Sequence, residues 1–207
     1  MKNNVKTLIL SILAGISIGI AGVIFLSCQS PYLGALSFSV GLFFIVEKKF
    51  FLYTGLIGDA LDNDLKKNLS LIIVLIGNFI GTFIVALLMN LTRESIDIFE
   101  KAVTITNIKL NDSWYSILIL SFFCGILIYL GVDVYRHSQN NLSKVLAIIL
   151  CVYTFIASGY EHCIANMFYI SFSKLLSLYS VIYILIMVLG NSLGGLLIPS
   201  LKKLIKE

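Results

Sequence analysis

Glu161 and His162 are neighbours in a largely apolar stretch that runs from Val145 to Phe168. An ionisable side chain at bilayer depth costs about 2.5–3.5 kcal/mol, so two in succession demand a compensating role. Successive helical residues point about 100° apart. One of the pair can therefore face a pathway while the other takes hydrogen bonds from backbone or neighbouring helices. His162 is the pathway candidate, because imidazole exchanges a proton near neutral pH, and Glu161 is the candidate anchor for the amides of a broken helix. A buried polar network with no share in transport is the plainer alternative for both. Thr54 offers a hydroxyl that could bond His162 or a passing anion, and a half-helix beginning after it would present free N–H groups to negative charge. Asn78 and Asn191 are amides in the middle of apolar spans. Clamping neighbouring broken helices is the role that satisfies them best, with substrate contact the second choice.

These assignments need elements at membrane depth, and composition supplies them. The 207 residues are 58% hydrophobic and 13% charged, with a mean hydropathy of +0.98. Soluble domains carry about 25% charged residues, so a water-soluble fold is excluded. A helix needs about 20 apolar residues to cross a bilayer, and six stretches qualify, roughly 7–27, 32–61, 70–91, 113–135, 143–172 and 178–200. The expectation is one transmembrane domain over 1–207. With a cytoplasmic N-terminus and alternating spans, Lys2, Lys6, Lys48, Lys49, Lys66, Lys67, Arg136, Lys144, Lys202, Lys203 and Lys206 fall inside. Arg93, Lys101, Lys109 and Lys174 fall outside. Eleven against four is the asymmetry of the positive-inside rule. It places both termini in the cytoplasm of a cell-membrane protein, and it makes the lipid bilayer, not nucleic acid, the partner of the +4 net charge. Cys28, Cys124, Cys151 and Cys163 lie singly, with no CxxC pair, and read as inert thiols. The N-terminal run to Cys28 has the outline of a signal peptide. Gly15, Gly19 and Gly22, spaced for close helix packing, favour a retained first span.

Two phrases recur along the chain. Gly77-Asn78-Phe79-Ile80-Gly81 returns as Gly190-Asn191-Ser192-Leu193-Gly194, and Ser11-x-x-x-Gly15-Ile16-x-Ile18 returns as Ser121-x-x-x-Gly125-Ile126-x-Ile128. Three spans per copy is an odd number, so the halves, about 1–91 and 113–200, are expected to be inverted repeats with a substrate site between them. Spans two and five are interrupted at matching places, by Glu47-Lys48-Lys49 and by Ser158-Gly159-Tyr160-Glu161-His162. Irregular backbone survives at that depth only where it lines a cavity or is buried in protein. Segment 92–112, with Arg93, Glu94, Asp97, Glu100 and Lys101, reads as a solvated linker.

Ala157-Ser158-Gly159-Tyr160-Glu161-His162-Cys163-Ile164-Ala165-Asn166-Met167-Phe168 resembles a signature of the formate/nitrite transporter family, A-S-G-F-E-H-S-I-A-N-M-F. Leu52-Tyr53-Thr54-Gly55 is similar to that family's loop breaking span two, and Gly190-Asn191-Ser192-Leu193-Gly194-Gly195 to its G-N-x-x-G-G. The resemblance implies an all-α membrane fold of six helices, an aquaporin-like protomer in a homopentamer, and one pore per subunit. It implies a central histidine at His162 facing Thr54. An outer constriction falls at Phe38 and Phe155, and an inner one at Leu42, Leu52 and Tyr53. Lys109 takes the place of an outer-vestibule lysine that concentrates anions, and Lys144 could serve the inner side or merely snorkel. Tyr53 departs from the usual phenylalanine, and Glu47-Lys48-Lys49 adds charge before the loop. The short chain resembles the hydrosulfide-conducting branch, with no residue that settles it.

The resulting expectation is a channel for a small monovalent anion of a weak acid, crossing as the neutral acid after protonation at His162, with protons as co-partner. A neutral-solute pore passing water or a small polyol is the first alternative. An intramembrane acid–base enzyme built on Glu161 and His162 is the second, but HExxH, GxSxG and carboxylate clusters are missing from the sequence. No cofactor or metal is expected.

Overall fold

The computed structural model describes residues 2–206, with side chains from Asn4 to Ile205. The side chains of Lys2 and Lys206, counted above in the charge asymmetry, lie outside that set. The described residues form helices and connecting turns, without strands. In chain order the helices are α1 Lys2–Ser27, α2 Pro31–Glu47, α3 Tyr53–Leu56, α4 Leu65–Met89, α5 Ser95–Leu110, α6 Trp114–His137, α7 Asn141–Ala157, α8 Cys163–Phe172 and α9 Leu178–Lys206, with a 3₁₀ turn at Ile57–Leu61. Among the described residues α1, α4, α6 and α9 are long and apolar enough to cross a membrane. The apolar helices α2, α7 and α8 have 17, 17 and 10 residues. At 1.5 Å per residue each is shorter than a hydrocarbon core of about 30 Å.

The long helices pack in two matched pairs, and glycine sets how closely. Gly15 of α1 lies against the Asn78 backbone of α4, and Gly81 of α4 against Ile12 O. In the second pair Gly125 of α6 lies against the Asn191 backbone of α9, and Gly194 against Phe122 O. A Cβ at any of the four would strike main chain, which cannot give way as a side chain can. Gly19 and Gly22 face Val85 and Phe168, so α1 is seated in the core.

Both interruptions are built the same way. α2 ends through Lys49 at φ +57°, and Phe50 N–H reaches back to Ile45 O at 2.9 Å. α7 ends through Gly159 at φ +69°, and Tyr160 N–H reaches back to Phe155 O at 2.8 Å. A left-handed residue with a six-to-one bond is the Schellman ending of a helix. The chain then runs extended for three residues before α3 or α8 begins. Buried backbone there must find partners, and the two copies find equivalent ones. Phe51 N–H donates to Leu10 O (3.2 Å) and Glu161 N–H to Leu120 O (3.4 Å). Asn78 Nδ2 donates to Phe51 O and Ser11 O, both at 2.8 Å, while its Oδ1 accepts from Tyr53 N–H at 2.9 Å. Asn191 repeats the pattern with Glu161 O, Ser121 O and Cys163 N–H at 2.8, 2.8 and 2.9 Å.

Segment 92–112 corrects an expectation. Arg93, Glu94, Asp97 and Glu100 are exposed, but most of the segment is the helix α5, whose Ile98, Ala102 and Thr106 are buried. Those positions recur every four residues, an amphipathic spacing that the density of charge obscured. Lys101 is half-buried. Its Nζ donates to the last carbonyls around α1, Leu26 O at 3.1 Å and Cys28 O at 2.7 Å, a cation at a helix C-terminus. The two ends of the chain share the opposite face: Asn4 lines a groove with Leu65 and Lys66, and Lys203 Nζ donates to Leu61 O at 2.8 Å.

Candidate functional site

The two helix breaks meet at one hydrogen bond. Thr54 sits in the only full turn of α3 and His162 is the residue capping α8, and Thr54 Oγ1 lies 2.9 Å from His162 Nε2. The tautomer follows from the other ring nitrogen. His162 Nδ1 accepts the Ala165 N–H at 3.1 Å, so it carries no proton. Nε2 therefore holds the hydrogen and donates it to Thr54. Leu52, the matching residue of the first break, has no such side chain. Of the two residues that cap α3 and α8, His162 is the titratable one.

Aromatic rings hold the imidazole. Phe155 stacks on it with centroids 5.7 Å apart at 25°, and Phe38 meets Phe155 edge-on at 6.3 Å and 85°. Two cavities approach this centre. One, of about 260 Å³, is lined by Phe38, Lys109, Phe155, Glu161 and His162. The other, of about 380 Å³, is lined by Leu42, Leu52, Lys49, Tyr135, Arg136 and Lys144. Phe38, Leu42, Leu52, Thr54, Phe155 and His162 are all buried, and among these six only Thr54 and His162 carry polar side-chain atoms.

Glu161 does not anchor broken-helix amides through its carboxylate; Asn191 and His162 do that work. The Glu161 side chain instead meets Lys109 Nζ at 2.8 and 2.6 Å and Asn166 Nδ2 at 2.8 Å. The ion pair is nearly withdrawn from solvent, with side-chain exposures of 15% for Lys109 and 6% for Glu161. Lys109 therefore enters the smaller cavity as half of a neutral pair, with its third N–H unspent among the described residues. Lys144 is half-buried and unpaired among the described residues. Beside it Arg136 is held by Asp59 at 2.9 Å and by Gly55 O at 3.1 Å, and the Tyr135 hydroxyl by Glu47.

Tyr53 is a second correction. It does not join Leu42 and Leu52 in the larger cavity, because its hydroxyl turns to α9 and bonds Ser192 Oγ at 2.9 Å. A phenol that is half-buried among apolar neighbours keeps a partner for its O–H. Tyr53→Phe should accordingly cost about 0.5–1.5 kcal/mol of stability, read as a small fall in thermal midpoint in detergent, and should leave solute selectivity unchanged. A changed selectivity would put the hydroxyl in the pathway after all.

Asn166 was not singled out in the sequence. It lines the smaller cavity and ties Glu161 to the His162 carbonyl. The available signal was an amide in an apolar span, as at Asn78 and Asn191, placed one helical turn after His162. Among the described residues no cluster of three His, Cys, Asp or Glu side chains could hold a metal ion.

A model of the formate/nitrite transporter family matches residues 1–204. The formate channel FocA of Escherichia coli (strain K12) is 27% identical over 195 residues, covering 82% of this chain and 66% of the relative. The formate channel BtFdhC of Bacillus thuringiensis is 30% identical over 150 residues, covering 67% of this chain and 57% of the relative. The chain thus spans less than two-thirds of the length of these relatives. A solved pentameric formate channel with formate bound superposes with a TM-score of 0.85 at 26% identity, covering 99% of this chain and 98% of that one. An FNT family ion channel gives the same TM-score at 22% identity, a likeness of fold. With its apolar helices and two interrupted segments meeting at a buried histidine, this multi-pass membrane protein belongs to the formate/nitrite transporter family.

Proposed function

We propose that the chain is a membrane channel for small monovalent anions of weak acids, formate, nitrite or hydrosulfide among them, with His162 relaying protons. The observation that carries this reading is the buried Thr54–His162 hydrogen bond, with one cavity lined by Phe38 and Phe155 and another by Leu42 and Leu52. The formate-bound pentameric neighbour supports the solute class.

The geometry supports the following steps. An anion enters past Lys144 on one side, or meets the third N–H of Lys109 on the other. Beyond these, Phe38 and Phe155 or Leu42 and Leu52 offer no partner for a charge, and a bare ion is costly there while a neutral acid is much less so. The ring must first take a proton at Nδ1, displacing the Ala165 N–H, before Nε2 gives its own proton to the anion. Imidazolium and anion then become imidazole and neutral acid, with the ring left protonated at Nδ1; the cap on α8 re-forms once Nδ1 releases that proton to water and Nε2 takes up another. Proton uptake is thereby coupled to the N-terminus of α8.

The architecture belongs to the same proposal: one transmembrane domain over 1–207, aquaporin-like, with six spans in two inverted halves of about 1–91 and 113–200. The pair α2 and α3 forms one broken span, and α7 and α8 the other. The matched clamps of Asn78 and Asn191 support that repeat. A homopentamer, with both termini cytoplasmic in the cell membrane, completes it. The test is flux into proteoliposomes offered formate, nitrite, hydrosulfide, acetate and lactate at two pH values. Saturable anion flux that grows at the lower pH is expected. Flux no greater than in empty liposomes would overturn the proposal, and swelling in glycerol without anion flux would replace it with a neutral-solute pore.

A further inference from the structure

We infer that Asn166 forms a subsite for the protonated, neutral permeant, its Oδ1 accepting the O–H or S–H of a small weak acid beside His162. The inference rests on the channel reading above and deepens it, by naming the species that the smaller cavity recognises.

Asn166 lines that cavity and is 1% exposed. Its amide cannot turn over. Nδ2 lies 2.8 Å from Glu161 Oε2 and 3.0 Å from His162 O. Both of those atoms are acceptors, so a flipped amide would set oxygen against oxygen twice. Oδ1 is then left as a fixed acceptor, buried and without a hydrogen-bond partner. A buried acceptor of this kind is paired in native proteins in the great majority of cases. Five titratable side chains line the same cavity: Lys109, Tyr160, Glu161, His162 and Tyr169. Lys109 is spent on Glu161 at two of its three N–H groups, and the Nε2–H of His162 is spent on Thr54. A bare anion has nothing to give Oδ1 and is repelled by its partial charge. A neutral acid has one donor, which is the complement of the site. The subsite therefore favours the protonated product of the histidine step over the anion that arrived.

The experiment compares formate with nitrate, a planar anion whose conjugate acid is too strong to hold a proton near neutral pH. Proteoliposome flux of each is measured for the full chain and for Asn166→Leu and Asn166→Asp. Leu removes both the donor and the acceptor. Asp, set against Glu161 Oε2 and His162 O, shares a proton with the Glu161 carboxylate as paired carboxyls do, and so keeps a carbonyl oxygen in the acceptor position. In Asn166→Leu the formate-to-nitrate flux ratio is expected to fall about fivefold, the worth of one hydrogen bond, while Asn166→Asp holds the ratio within twofold of the unsubstituted chain. Equal falls in both variants would make Asn166 a positioning residue for Glu161 and overturn the subsite. An unchanged ratio in both would assign the acceptor to a structural water and overturn it equally. Size-exclusion profiles of the purified variants identify misfolding, and Asn166→Asp alone then decides, since a fivefold fall in a folded Asp variant also ends the proposal. Absence of formate flux in the unsubstituted chain is a different failure, that of the channel reading itself.

Discussion

In a His162→Phe channel, formate flux into proteoliposomes is expected to lose its pH response, because the imidazole is the group proposed to relay the proton. At the acidic end it should fall about 100-fold or more, the usual contribution of a positioned proton donor. Phenylalanine preserves the ring that stacks on Phe155, so packing is close to maintained while the titratable cap of α8 is removed. Two bonds disappear with the imidazole, the one to Thr54 Oγ1 and the cap on Ala165 N–H. The loss of the cap costs about 1 kcal/mol of helix stability, which is too little to account for a 100-fold loss of flux by unfolding. Thr54→Val separates orientation from proton transfer. It keeps the shape and removes the hydroxyl, so the pH response should persist at a flux reduced by about fivefold, one hydrogen bond's worth. Matching pH profiles for His162→Phe and the unsubstituted chain would sink the proton relay.

The largest stability effect is expected at Lys109. Lys109→Met leaves the Glu161 carboxylate buried, with Asn166 Nδ2 as its remaining side-chain partner. Breaking one half of a buried ion pair typically costs about 3–5 kcal/mol. The thermal midpoint in detergent should drop accordingly. The double variant Lys109→Met with Glu161→Gln removes the stranded charge and should recover most of the loss, a coupling that a double-mutant cycle measures directly. A Lys109→Met protein within about 0.5 kcal/mol of the unsubstituted chain would show that Glu161 finds another way to discharge. The ion pair joins the last turn of α5 to the second helix break, so α5 should also be the first helix to gain hydrogen exchange in this variant.

Much of this protein was legible one residue at a time. Runs of apolar residues announce membrane helices because the bilayer core demands them of every crossing segment. The interruptions at Lys49 and Gly159 announce themselves because polar or glycine-bearing runs break hydropathy locally. The recurring Gly-Asn-x-x-Gly named the two clamps, since an amide in an apolar span must find partners wherever the fold provides them.

Tertiary structure alone decided which way side chains turn and whom they meet. Lys109 pairs with Glu161 across 52 positions, and Tyr53 with Ser192 across 139. Neither partner can be read from local spacing, because the rotation of a helix about its own axis is set by the surfaces packed against it. For the same reason α5 looked solvated, its buried Ile98, Ala102 and Thr106 outnumbered by the charges between and before them. Periodicity tells which residues can share a face. Only packing tells what that face touches.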